Sequence, residues 1–203
     1  YKRISTEGNH SATHLLHQAL RKVLGTHVEQ KGSMVNHDHL RFDFSHFGKM
    51  TSEEIKEVER FVNERIREQI TLVEQRDLSY QEAIDQGAIA LFGEKYGEFV
   101  RVITFDPAFS VELCGGTHTP SAGQVGPLLV IGESSIGSNL RRIEAITGHG
   151  ESAWRALAVS FLLFGGVGLV FVFGAPLLGL PGAPADRFGL LPFVFHRGLA
   201  ARP

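Results

Sequence analysis

The chain has 203 residues, of which 43% are apolar, 21% charged and 9% aromatic, a composition that excludes a disordered or collagen-like chain and allows a sizeable core. Its formal net charge of -2 argues against binding nucleic acid through overall positive charge, so any RNA contact must use a local patch. The single cysteine, Cys114, cannot form an internal disulfide, which leaves it as a ligand, a nucleophile or a core residue. Because the sequence begins at Tyr1 without Met, we expect a fragment or an excised domain.

The first predicted element is a helix that begins at Asn9, which can cap it, and ends at Gly25, where a left-handed residue is favoured. His10 and His14 lie one turn apart and therefore share one face of this helix. The apolar residues that recur at helical spacing are Leu15, Leu16, Leu20, Val23 and Leu24.

A strand follows over residues 40–44, because Leu40, Phe42 and Phe44 alternate with polar residues and point to one side. Thr51 and Glu54 then form a capping box that opens a second helix. Further elements are a strand over 71–74, a short helix over 79–86, and strands over 99–105, 110–113, 128–131 and 142–146. The pattern predicts an α+β domain of mixed helices and antiparallel sheet over residues 1–148.

Four residues have the spacing of metal ligands. His10 and His14 form a His-x-x-x-His pair on a rigid helix, and Cys114 and His118 form a Cys-Gly-Gly-Thr-His loop. The two pairs suit a tetrahedral site, for which zinc is the favoured ion. Simpler interpretations also exist: His10 as an exposed residue, His14 as a hydrogen-bonded core histidine and Cys114 as a buried apolar residue.

Two glycines separate the ligands of the predicted loop. Gly115 and Gly116 would let the backbone turn tightly enough for Cys114 and His118 to converge on one ion. The Cys-Gly-Gly-Thr-His pattern around the single cysteine favours the metal interpretation over the simpler ones.

The sequence resembles the editing domain of alanyl-tRNA synthetase over residues 1 to about 148. Six blocks carry the resemblance, in the family's order: NHSATHLL at 9–16, LGTHVEQKGS at 24–33, LRFDFSH at 40–46, ALFGEKYG at 90–97, ELCGGTH at 112–118 and RRIEAITG at 141–148. The editing domain of threonyl-tRNA synthetase shares the four ligands but is not similar over the blocks at 40–46, 90–97 and 141–148. Free-standing relatives of the alanyl editing domain are a closer rival, and they usually lack some of these blocks.

The resemblance implies hydrolysis of the ester that links a wrong amino acid, serine or glycine, to the terminal adenosine of alanine tRNA. One zinc ion per domain, held by the four ligands, would orient the aminoacyl group, polarise its carbonyl or activate water. ATP and Mg²⁺ would be needed only by an aminoacylation domain preceding Tyr1. The alternatives are a tRNA-binding module without turnover and a free-standing deacylase that acts in trans.

The family match also assigns Thr13 and Gln30 to the catalytic site around the substrate. Both offer polar groups suited to a small polar amino acid. Without the match, Thr13 would bond a carbonyl one turn back in its helix, and Gln30 would be a solvated loop residue.

The expected partner is alanine tRNA, with no DNA partner. Four cations are the main candidates for RNA contacts: Lys31, Arg41, Arg141 and Arg142. In the family, the adjacent arginines that match Arg141 and Arg142 lie near the editing cleft. Arg101 is a further candidate. His17 shares the face of His10 and His14, and we assign it to packing or to support of the ligands.

The sequence departs from the family pattern at two places. Asn139 stands where glycine is usual, and asparagine tolerates a left-handed backbone better than most residues, so the turn should survive. The second departure is residues 149–203, which are rich in Gly, Leu, Phe and Pro and lack Lys, Ile, Asn, Gln and Thr from residue 151 onward.

Residues 156–175 contain neither a charge nor a proline and as a helix would span about 30 Å, the thickness of a bilayer's apolar core. Three interpretations stay open: a membrane segment, a non-native extension, and an apolar segment buried in another domain. The expected location is the cytoplasm, or a membrane if the tail is genuine.

Overall fold

The computed structural model describes residues 2–91 and 95–148. Its three helices are α1 (Lys2–Leu24), α2 (Ser52–Arg67) and α3 (Tyr80–Asp85). Its seven strands are β1 (Gln30–Val35), β2 (Leu40–Ser45), β3 (Val73–Ser79), β4 (Phe99–Phe105), β5 (Ser110–Leu113), β6 (Leu128–Gly137) and β7 (Leu140–Thr147). All strand pairs in the two sheets are antiparallel, which confirms the predicted α+β class for the described residues.

The larger sheet has the strand order β1-β2-β7-β6, and α1 and α2 pack on one of its faces. The predicted alternation in β2 is confirmed, because Leu40, Phe42 and Phe44 are fully buried. Phe42 lies opposite Ile143 of β7, and both side chains belong to the main hydrophobic core. Helix α1 therefore packs against the apolar face of this sheet.

Helix α1 begins at Lys2, so the prediction that Asn9 caps it is wrong. Asn9 lies in the interior of the helix and is fully buried. Its Nδ2 donates to the carbonyl of Asn36 at 2.8 Å, and its Oδ1 accepts from Thr147 Oγ1 at 2.8 Å. Asn9 therefore does not cap the helix. It links α1 to residues that are distant in sequence, and these contacts satisfy both polar groups of its buried side chain.

Helix α2 begins as predicted. Thr51 accepts a hydrogen bond from the backbone N–H of Glu54 at 3.1 Å, and Glu54 accepts one from the N–H of Thr51 at 2.8 Å. This reciprocal pair satisfies two backbone donors that the helix itself leaves unbonded. The buried face of the helix consists of Val58, Val62 and Ile66.

The smaller sheet has the order β3-β4-β5 and carries α3 against a second, smaller cluster of apolar residues. Ser79 caps α3 in the same reciprocal way with Glu82, and Gly87 has the left-handed φ of +86° just after its end. The bounds of β4 and β5 are those predicted from the sequence. β5 leads directly into Cys114.

Four strands differ from their predictions. β3 spans Val73–Ser79, whereas a strand over 71–74 was predicted. β1 lies at the edge of its sheet and was not predicted, because its residues show no run of buried apolar positions. β6 and β7 are longer than predicted and join through a tight hairpin in which Asn139 has a φ of +56°. The prediction that asparagine accommodates this left-handed position is confirmed.

The predicted tail over residues 149–203, including the apolar run 156–175, lies outside the described residues. Among the helices of the described part, none is long and apolar enough to cross a bilayer.

Candidate metal centre

The four predicted ligands converge at one point between α1 and the loop that follows β5. One ligand atom from each of His10, His14, Cys114 and His118 can be chosen so that all four lie within 4.8 Å of one another. His10 Nε2 lies 3.5 Å from Cys114 Sγ. The rings of His10 and His118 stack with their centroids 4.2 Å apart. The helix pair and the loop pair, separated by about a hundred positions, thus form one cluster.

The hydrogen bonds of the histidines leave their Nε2 atoms directed at this cluster. His10 Nδ1 lies 3.0 Å from the carbonyl oxygen of Thr117, which can only accept, so Nδ1 is the protonated nitrogen. The Nε2 atoms of His14 and His118 are buried and have no hydrogen-bond partner among the described residues. Buried, unpartnered imidazole nitrogens beside a thiol are the donor set that zinc binds, so the residues present fit the ion.

The electrostatics of the cluster favour a thiolate. Burial of Cys114 opposes ionisation, but the neighbouring imidazoles of His10, His118 and His14 lower the pKa of its thiol to about 3. Burial lowers the pKa of His118 to about 4, despite the opposing effect of Cys114, and thus favours the neutral imidazole that a metal requires. Burial also disfavours the charged form of His14, but Glu112 and Cys114 together raise its pKa to about 10.

Glu112 is a residue of the site that the sequence analysis missed. Only 1% of its surface is exposed, and its carboxylate contacts His14, His17 and Gln18 on α1. Burial opposes its ionisation, yet His14 and His17 hold its pKa well below the usual range. The sequence contains one signal that could have identified Glu112 as part of the site. Glu112 stands two residues before Cys114, and alternate residues of a strand share a face. His17 supports the cluster through Glu112, as predicted.

Arg101, a further candidate for RNA contacts, holds the loop with the last two predicted ligands. Its guanidinium donates to the carbonyl of Cys114 at 3.1 Å and also to that of Gly116. On its other side it donates to Glu74 of β3 at 2.7 Å. Arg101 therefore ties the loop to the smaller sheet, which leaves it engaged within the domain.

The two loop glycines have a different role from the one predicted. Neither Gly115 nor Gly116 has a positive φ, so no strained turn requires them. A Cβ on Gly116 would lie 2.0 Å from Cε1 of His10, whereas one on Gly115 would meet nothing within 4 Å. Gly116 is thus needed for the close approach of His10, and Gly115 is not.

Thr13 and Gln30 occupy different places around the centre. Thr13 is 5% exposed, and its hydroxyl donates to the carbonyl of His10 at 2.6 Å, the local bond that was the alternative interpretation. Gln30 begins strand β1, and its amide lies 3.3 Å from Ser33 Oγ. It also lines a cavity of about 190 Å³ together with His17, Arg21, Glu29 and residues 89–91.

The four cations proposed for RNA contacts each pair with a carboxylate. Lys31 contacts Glu29 at 2.8 Å. Arg142 makes two hydrogen bonds to Asp43, at 2.7 and 2.8 Å, and Arg41 lies 3.6 Å from the same carboxylate. Arg141 instead binds Glu133, because neighbouring residues of a strand point to opposite faces. The adjacent arginines therefore do not form one basic patch.

Comparison with known proteins gives one matching family model and several similar relatives. The family "Threonyl and Alanyl tRNA synthetase second additional domain" matches residues 100–144. An alanine–tRNA ligase of Christiangramia forsetii is 64% identical over 148 residues, or 73% of this chain. Those of Cytophaga hutchinsonii and Chlorobaculum tepidum are 62% identical over 146 residues and 52% identical over 152 residues, or 72% and 75% of this chain. The chain spans only 17% of the length of each of these three relatives.

Proposed function

This chain is an editing-domain fragment of the alanyl-tRNA synthetase family, and from this premise we propose that its residues 1–148 form a zinc-dependent deacylase of mischarged alanine tRNA. The substrates are seryl and glycyl esters of that tRNA, and the parent protein is an alanine–tRNA ligase that uses ATP. The observation that carries this proposal is the convergence of His10, His14, Cys114 and His118.

The chemical need for such a site follows from the size of alanine. A pocket that accepts alanine cannot strongly reject glycine, which is smaller, and the added hydroxyl of serine gives only weak discrimination. A second site that hydrolyses the wrong ester removes the products that the first site admits. Relatives named as alanine–tRNA ligases face this problem, which supports proofreading as the role of this domain.

Two elements of the fold supply the four proposed ligands of the ion. Helix α1 presents His10 and His14 at fixed spacing, and the loop after β5 presents the Cys114 thiolate and the neutral ring of His118. When bound, zinc would supply a Lewis acid that orients and polarises the ester carbonyl or activates water. His14 is buried and the other three ligands are partly buried, which limits the access of bulk water and strengthens these polar contacts.

Thr13 and Gln30 are proposed to recognise the amino acid. Thr13 lies between the two histidine ligands in sequence, and its hydroxyl oxygen keeps a free lone pair after donating to His10. Gln30 lines the cavity next to His17, which connects through Glu112 to His14. His17 and Glu112 thus connect the Gln30 cavity to the ligand His14, which supports Gln30 as part of the substrate site.

The tRNA is proposed to contact the sheet cations. Lys31 and Arg41 lie on neighbouring strands β1 and β2, and Arg41 shares Asp43 with Arg142. Phosphate contacts here would have to compete with Asp43, so the contribution of each cation should be modest and dependent on salt. Arg141 is the least accessible of the four, since its side chain is 12% exposed.

The test is deacylation of seryl-tRNA(Ala) by the full chain. We expect release of serine well above the buffer rate and about one zinc per chain by elemental analysis. Cys114→Ala should lose both. Ser110→Ala, on the strand that leads into Cys114, should keep both, because its hydroxyl has no hydrogen-bond partner among the described residues. Retained tRNA binding with no release of serine would contradict the deacylase and leave a binding module.

A further inference from the structure

Glu112 is a fully buried carboxylate directly behind the candidate metal centre. Its Oε2 accepts a hydrogen bond from His14 Nδ1 at 2.7 Å. Its Oε1 accepts from His17 Nδ1 at 2.9 Å and from Gln18 Nε2 at 2.7 Å. The three donors are spaced three and four residues apart and so lie on one face of α1. Every contact of this carboxylate thus goes to the helix that supplies the first two ligands.

The chemistry of these contacts determines where the proton of His14 lies. An ionised carboxylate has no hydrogen to donate, so the imidazole nitrogen that contacts it must carry the proton. Nδ1 of His14 is therefore an N–H, which leaves Nε2 as the nitrogen of this ring that can present a lone pair to an ion. That Nε2 is buried and without a hydrogen-bond partner among the described residues, as expected of an atom that faces an ion.

Glu112 also connects the two halves of the centre. It lies on β5, two residues before Cys114, and alternate strand residues share a face. Its bonds to α1 therefore hold the histidine pair against the strand that leads to the other two ligands. A backbone contact between Glu112 and Ile89 adds the segment after α3 to the same assembly.

We propose that Glu112 is a positioning residue of the metal centre, which orients His14 so that Nε2 binds the ion and which fixes α1 relative to the Cys114 loop. This role rests on the metal centre proposed above. Glu112 does not touch the ion or the ester itself. Its loss should weaken metal binding without removing any ligand, by roughly 10–100-fold, the usual effect of removing a group that orients a metal ligand.

The first measurement uses the unmodified full chain loaded with Zn²⁺. Long-range ¹H–¹⁵N NMR correlations identify which nitrogen of each histidine carries a proton and which binds the metal. We expect His14 to bind through Nε2 and to keep its proton on Nδ1. Binding through Nδ1 would overturn the proposal. A chain that takes up no zinc at all would instead refute the metal centre, so the two failures are distinguishable.

The second measurement compares variants by competition for Zn²⁺ with a chromophoric chelator. In Glu112→Gln the amide nitrogen cannot accept a hydrogen bond, so at least one donor of α1 loses its acceptor. We expect about 10–100-fold weaker binding, partial recovery in Glu112→Asp, and a change in the visible spectrum of the Co²⁺-loaded protein. Ser110→Ala is the matched control on the same strand face, equally buried, and should bind as the unmodified chain does.

A folded Glu112→Gln chain that binds Zn²⁺ as tightly as Ser110→Ala would overturn the positioning role. If Glu112→Gln does not fold, the nitrogen assignment in the unmodified chain decides the question alone.

Discussion

Replacing Gly116 by alanine adds one methyl group to the Cys-Gly-Gly-Thr-His loop and tests whether the metal centre depends on close packing of this loop against His10. The added Cβ would lie 2.0 Å from Cε1, 2.6 Å from Nδ1 and 3.2 Å from Nε2 of the His10 ring. Ordinary van der Waals contact begins at 3.4 Å, so Cε1 must move by at least 3.4 − 2.0 = 1.4 Å. Metal–ligand distances tolerate only about 0.2 Å, and His10 therefore cannot keep its place as a ligand.

The energetic effect should appear in metal affinity and not in folding. The His10 ring is only partly buried and can rotate away from the new methyl group, and the backbone of Gly116 needs no left-handed φ. We expect Gly116→Ala to weaken Zn²⁺ binding by about 100-fold or more, because removing a group that only supports a ligand already costs roughly 10–100-fold. The free energy of unfolding of the metal-free chain, measured by thermal unfolding, should change by no more than about 0.5 kcal/mol, as for a surface substitution.

The assay is chelator competition for Zn²⁺, with seryl-tRNA(Ala) deacylation as a second readout. Gly115→Ala is the matched control, since a Cβ at that position meets nothing within 4 Å. Both variants have the same composition and differ by one position. Equal Zn²⁺ affinities for the two would refute the reasoning, because only Gly116 faces His10.

Three further predictions concern the loop, the fold and the specificity of the site. Arg101→Gln removes the guanidinium that binds the carbonyls of the Cys114 loop, and Zn²⁺ affinity measured by chelator competition should fall by roughly 10-fold, as for other groups that orient ligands. Thr51→Ala removes the cap of α2 and should cost about 1 kcal/mol of stability in urea unfolding while Zn²⁺ binding stays unchanged, which tests whether the helix cap and the metal centre are independent. Thr13→Ala and Gln30→Ala should slow hydrolysis of the seryl ester by about 1–3 kcal/mol and that of the glycyl ester less, because glycine has no hydroxyl to bind. Equal losses of both rates would mean that these two residues maintain the shape of the site and do not recognise serine.

The elements with strong local signals were predictable. The capping box of α2, the alternating strand β2 and the bounds of β4 and β5 follow from interactions between residues close in sequence, and the structure confirms them. Asn9 shows the limit of such signals. It has the side chain of a helix cap, but its oxygen and its amide nitrogen bind Thr147 and Asn36, and a pattern within one segment does not contain those partners. β1 is an edge strand that is held by pairing with β2 and has few buried side chains, so its sequence carried no alternation.

By itself the sequence determined which residues form the candidate metal centre. The spacing of His10 and His14 on a helix and of Cys114 and His118 in a loop depends only on local geometry, and the structure brings all four together. The tertiary structure alone decided the rest: that Glu112 faces α1, that Arg101 holds the loop, and that Gly116 leaves room for His10. Each of these is a contact between segments far apart in the chain, and such contacts are set by how the sheets and helices pack, which local periodicity does not encode.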